Sequence, residues 1–89
     1  MLSVTAAKLG RTVTSLEQVV TIEMLCAAQA LEFPQLDPGI GVRRGCEFVR
    51  SRIGRLVRDC PLGSEMIWLR RRIEDGSLVA WVEQRVPLF

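Results

Sequence analysis

No histidine and no tyrosine occur anywhere in this 89-residue chain. Without histidine it lacks the commonest general base and the commonest metal ligand. Any catalysis would fall to carboxylates, cysteines or basic groups, and no catalytic, cofactor-binding or metal-ligating residue is picked out. The cysteines number three, Cys26, Cys46 and Cys60, with no Cys-X-X-Cys spacing. An odd count without that spacing argues against a disulfide framework and points to a reducing, cytoplasmic setting. Cys26 and Cys46 are expected as small core residues. No stretch approaches 18 consecutive apolar residues, so no membrane span is expected. Lys8 and Arg11 follow the first apolar residues, and no apolar core of signal-peptide length appears. The charge excess is small, +2 from 12 basic and 10 acidic residues, too even to imply a polyanionic partner by itself. Aromatic residues make up 6% of the chain, and only Phe48 and Trp68 stand near the arginines. That argues against a base-stacking platform and hence against a nucleic-acid role.

What is present is apolar and helical. Hydrophobic residues make up 48% and charged residues 25%, a globular composition for one small domain. The run from Leu16 to Phe33 reads LEQVVTIEMLCAAQALEF, and between Val19 and Leu31 only Thr21, Glu23 and Gln29 are polar. Such a helix needs covering on all sides. The spacing predicts one helix from Ser3 to Phe33, with Leu9, Val13, Leu16, Val20, Met24, Ala27 and Leu31 forming a coiled-coil-like seam. Thirty residues would span roughly 45 Å, against a radius of gyration of about 13 Å for a compact domain of this size. The helix should therefore protrude unless partners flank it. Gly10 marks a kink or a close packing contact. Glu23 is expected to pair with an arginine or cap a neighbouring helix; the sharper alternative is a buried acid with a raised pKa.

Pro34 stops the helix, and Pro34 to Gly41 reads as a loop. A second, amphipathic helix is expected from Val42 to Arg58, with Val42, Cys46, Val49, Ile53, Leu56 and Val57 on one stripe and the arginines opposite. Phe48 falls off that stripe and marks a second contact. The arginines are expected to form a solvated face with ion pairs to Glu47, Asp59, Glu65 and Glu74. After the break at Cys60-Pro61-Leu62-Gly63, Ser64 serves as N-cap of a short helix to Asp75, with Gly76 at its C′ position. Ser77 caps a last helix from Leu78 to Arg85. Trp68 and Trp81 pack the short tail helices or face an interface. The fold class is all-α: one long core helix, an amphipathic helix and two short ones, a partial bundle without internal domain boundary over residues 1–89.

Four stretches resemble the C-terminal end of the aromatic amino acid ammonia-lyases, closest to histidine ammonia-lyase. They are Ser3 to Leu9; VVTIEMLCAAQALEF from Val19 to Phe33, similar to the family's long helix; Asp59-Cys60-Pro61-Leu62, similar to an Asp-Arg-Pro-Leu turn; and Ile73 to Leu78, similar to a closing I-x-x-G-S-L segment. The resemblance implies a homotetrameric lyase of parallel bundled helices that eliminates ammonia from histidine or a related amino acid. It implies a methylidene-imidazolone group formed from an internal Ala-Ser-Gly, a tyrosine base, and active sites where subunits meet.

The departures bear on function. The chain has no Ala-Ser-Gly, no Tyr and no His. The family's acidic active-site loop would fall upstream of Met1. Leu2-Ser3-Val4 stands where the family usually has Val-Ser-Met, and Pro34 follows Phe33 where the family often has Arg. No catalytic residue carries over, and the matching positions belong to the scaffold. The expectation is a scaffold portion of an ammonia-lyase-like protein, inactive alone, that forms a homo-oligomer or joins a larger lyase-like chain. The alternative is a stand-alone helical module that self-associates through the Leu9 to Leu31 seam.

Overall fold

A computed structural model describes residues 2–33, 35 and 37–88, and among them the chain is all-α, with four helices and no strand. Helix α1 spans Leu2–Ala30, α2 Ile40–Arg50, α3 Gly63–Glu74 and α4 Ser77–Glu83. Their order and relative lengths follow the sequence pattern, while several of their ends do not. Pro34, assigned as the stop of the first helix, lies outside the described residues.

Helix α1 ends at Ala30, three residues before Phe33, because its last turn tightens. Glu32 and Phe33 donate their backbone N–H groups to the carbonyls three residues back, Gln29 and Ala30, each at 3.2 Å. Helix α2 ends at Arg50 and does not reach Arg58. Ser51 Oγ donates to Phe48 O at 2.6 Å, and the Arg50 guanidinium donates to the carbonyls of Ile53 at 3.3 Å and Gly54 at 2.8 Å. Those carbonyls turn toward a side chain instead of continuing the helical ladder. Residues 54–62 are irregular. Ile53 is still buried, whereas Val57, expected on the same stripe, is 80% exposed.

The caps also differ. Leu62, not Ser64, is the N-cap of α3; Ser64 lies in the first turn and donates to the Glu65 carboxylate at 3.1 Å. Gly76 takes the left-handed conformation, φ 81°, that a residue after a helix end commonly needs. Asp75 does the capping assigned to Ser77: its Oδ1 accepts the Ser77 N–H at 2.9 Å and the Ser77 hydroxyl at 2.5 Å. Those two bonds, hydroxyl first, with Arg72 nearby, hold the Asp75 carboxyl below its ordinary pKa against a small opposing desolvation.

The core lies at one end of the molecule. Leu69 of α3 is fully buried, with Ala28 of α1, Val49 of α2 and Ile53 around it, and Met24, Leu25, Cys46, Phe48, Trp68 and Ile73 pack on that nucleus. Thr21 is also buried, and its hydroxyl is satisfied by the Glu17 carbonyl one turn back at 2.7 Å. The chain measures 52 × 34 × 20 Å with a radius of gyration of 15.0 Å. Its long dimension is the protruding α1.

Candidate functional site

Helix α1 is covered on one side of its C-terminal half only. Every residue from Ser3 to Leu16 is exposed, with Leu9 at 63% and Leu16 at 60%, and Val19 and Ile22 continue the uncovered apolar surface. The covering that an all-round apolar helix needs is thus only partly supplied by this chain's own helices. Cys26, expected in the core, lies on the exposed side; Cys46 is half-buried. Glu23 is exposed and, among the described residues, has no arginine partner, so it is neither a buried acid nor an internal ion-pair anchor. Gly10 marks neither kink nor contact: α1 runs through it, and a Cβ there would meet nothing within 4 Å. A contiguous apolar surface of this kind marks an interaction site more often than chance exposure does.

Beside this face an open groove of about 420 Å³ runs between the end of α1, α2 and α4, lined by Met24, Ala28, Leu31, Val49, Leu78 and Val82 among others. Its walls are almost wholly apolar, and no nucleophile–base pair stands in it. Among the described residues, no group of three or more acidic or cysteine side chains is placed to hold a metal ion. No helix among them is long and apolar enough to cross a membrane.

Two polar clusters lock the compact end in place. The Arg50 guanidinium reaches from α2 to the end of α1, donating to Ala28 O at 3.2 Å and pairing with Glu32 at 3.0 Å. The second cluster is aromatic. Phe48 stacks on Trp68, with centroids 5.6 Å apart, and meets Trp81 edge-on at 6.2 Å. Arg44 lies 3.9 Å from the Trp81 ring centroid and donates to Trp81 O at 2.9 Å, while Trp81 Nε1 donates back to Arg44 O at 3.0 Å. Phe48, off the α2 stripe, is therefore the residue that joins α2 to α3 and α4. The arginine ion pairs run to Asp37, Glu47, Glu32, Glu17 and Asp75. Of the four acids expected, only Glu47 serves. Glu17 and Glu32 sit far from the arginines in sequence and were invisible as partners before the fold was known.

Fold and surface define an all-α segment with one long, half-covered helix and no catalytic centre of its own among the described residues. Comparison with known proteins gives it a relationship. It is 36% identical over 74 residues to the histidine ammonia-lyase of Deinococcus radiodurans, covering 83% of this chain and 14% of that enzyme. It is 37% identical to that of Natranaerobius thermophilus, covering 79% of this chain and 14% of the enzyme, and 37% identical to that of Symbiobacterium thermophilum, covering 88% and 16%. No protein-family model matches the chain, and no solved structure does. The chain is a segment related to histidine ammonia-lyase, and it spans about 14–16% of the length of these relatives.

Proposed function

We infer that this chain supplies scaffold to a histidine ammonia-lyase-like assembly, contributing a core helix and a helical tail, and that it performs no ammonia elimination alone. The observation that carries this reading is the uncovered apolar side of α1, which coincides with the stretch most like the family's long helix. The chain carries no Ala-Ser-Gly, so the electrophile of such an enzyme would have to come from another polypeptide. Its partners on this reading are further copies of itself or a larger lyase-like chain. The three free thiols suit a reducing, cytoplasmic setting.

The test uses the Deinococcus radiodurans enzyme cut back by the stretch this chain matches. Supplying the present chain in trans should restore a stable complex and ammonia release from histidine. The exposed seam also supports a second reading, a self-associating module independent of any lyase. A discrete helical oligomer of the chain that leaves the shortened enzyme unbound and inactive favours that second reading.

A further inference from the structure

Charge along α1 is segregated. Its first half carries Lys8 and Arg11 and no acid; from residue 17 to its end it carries Glu17 and Glu23 and no base, with Glu32 just beyond. This order opposes the helix dipole, which favours acids near the N-terminus and bases near the C-terminus. Within the chain, Glu17 is answered by Arg70 at 3.9 Å and Glu32 by Arg50 at 3.0 Å. Lys8, Arg11 and Glu23 have no ion-pair partner among the described residues, and all three are exposed. By helical spacing Lys8 and Glu23 share the uncovered side of α1 with Leu9, Leu16 and Val19, while the buried Thr21 and Ala28 lie on the other side.

We propose that a second copy of this chain covers that side, its α1 running antiparallel to the first, with Lys8 of each copy facing Glu23 of the other. The inference rests on reading the uncovered α1 side as an assembly face and names its occupant. A parallel pair would set Lys8 beside Lys8 and Glu23 beside Glu23. The antiparallel pair converts both repulsions into attractions and opposes the two helix dipoles. With Lys8 facing Glu23, the two-fold axis passes between Ser15 and Leu16. Leu9 then meets Ile22, Thr12 meets Val19, and the two Leu16 side chains flank the axis. The same register brings Val4 of one copy to Ala27 of the other, at the mouth of the apolar groove. The compact ends lie on the far side of each α1 and at opposite ends of the pair, so they leave the contact clear. Such an arrangement is isologous and closed, and it does not propagate into fibres.

The test is the solution mass of the full chain by light scattering, at low salt and over a dilution series, with helicity followed by circular dichroism. Four proteins are compared: wild type, Lys8→Glu, Glu23→Lys and the double exchange. Lys8→Glu improves the match to the helix dipole, so a lost dimer cannot be blamed on a lost helix. Each single reversal turns two attractions into two repulsions and should weaken the dimer about tenfold or more, and the double exchange should restore it. In a background with the native cysteines changed to serine, mixed Thr12→Cys and Val19→Cys chains should oxidise mainly to the heterodimer. A dimer indifferent to the reversals overturns the antiparallel register and leaves the assembly reading intact. A folded monomer that joins the shortened lyase overturns the second copy as occupant and again leaves that reading intact. A folded monomer that joins nothing overturns both.

Discussion

The side-chain amide of Gln29 pairs with both backbone groups of Leu56, donating from Nε2 to Leu56 O at 2.9 Å and accepting the Leu56 N–H at Oε1 at 3.1 Å. One polar residue inside the apolar stretch of α1 thereby fixes the irregular segment that follows α2, standing in for a strand neighbour. Replacing Gln29 with Leu removes both bonds and leaves two partly buried backbone groups unpaired. The expected cost is about 1–3 kcal/mol, a fall in melting temperature of roughly 5–20 °C for a chain this size. Thermal denaturation followed at 222 nm reads it directly; an unchanged midpoint would show that the segment is held by other contacts.

Arg50 acts on the same segment from the other side. Its guanidinium serves Ala28, Ile53, Gly54 and Glu32 at once, which needs a planar fork of donors. Lysine offers a single point of attachment. Arg50→Lys should therefore destabilise by about 1–2 kcal/mol despite keeping the charge. Arg55→Lys should do almost nothing, because Arg55 reaches Glu32 only at 3.8 Å and is 65% exposed. Urea midpoints of the two variants give the comparison, and equal losses would contradict this assignment.

These two residues also show where the sequence was legible. The number of helices, their order and the αL glycine at Gly76 follow from periodicity and local turn chemistry, which are carried by neighbouring residues. The end of α2 does not. Ile53, Leu56 and Val57 keep helical spacing past Arg50, and the stop is imposed by Arg50 folding back on carbonyls and by Gln29 gripping Leu56 from 27 residues away. Burial was misjudged for a related reason. Composition says how much covering α1 needs and says nothing of which side its own chain supplies, so Cys26 and Glu23 were expected inside and lie outside. The scaffold character of the chain was readable from missing residues; the Phe48–Trp68–Trp81 cluster required the fold.

Asp75 gives a pH dependence with a definite sign. Its folded-state pKa is held below the ordinary 3.8 by the Ser77 hydroxyl and backbone N–H, with Arg72 adding to them. A lowered carboxyl stabilises the fold fully above the ordinary value, and that contribution disappears as pH falls through the folded one. Between neutral pH and about pH 5 the group should add no slope. Below 3.8 it should add one, and Asp75→Asn should flatten the curve there while lowering stability at neutral pH. Urea unfolding from pH 7 to pH 2.5 measures both effects.

Gly10 offers a stabilising change. It is helical, with no positive φ, and open space surrounds the place a Cβ would occupy. Gly10→Ala should raise helix stability by about 0.5–1 kcal/mol through propensity alone. Calorimetry of the dilute chain tests this; destabilisation would mean that something packs against Gly10 in solution.

Leu69 and Leu16 separate folding from assembly. Leu69 is fully buried at the centre of the compact end, and Leu16 is 60% exposed on the protruding helix. Leu69→Ala removes packed methyl groups and leaves a cavity, at a cost of about 2–5 kcal/mol, enough to unfold a small domain of ordinary stability. Leu16→Ala removes nothing that this chain itself packs against, and alanine is the better helix former, so the fold should persist with its helicity intact. If the uncovered side of α1 is an interface, the same change should weaken association, because the leucine then sits in a buried contact. Circular dichroism and light scattering on the two variants should give opposite patterns: helicity lost in Leu69→Ala, mass lost with helicity kept in Leu16→Ala. A Leu16→Ala chain that loses its helices would mean that α1 is folded only by its partner, making folding and assembly one event.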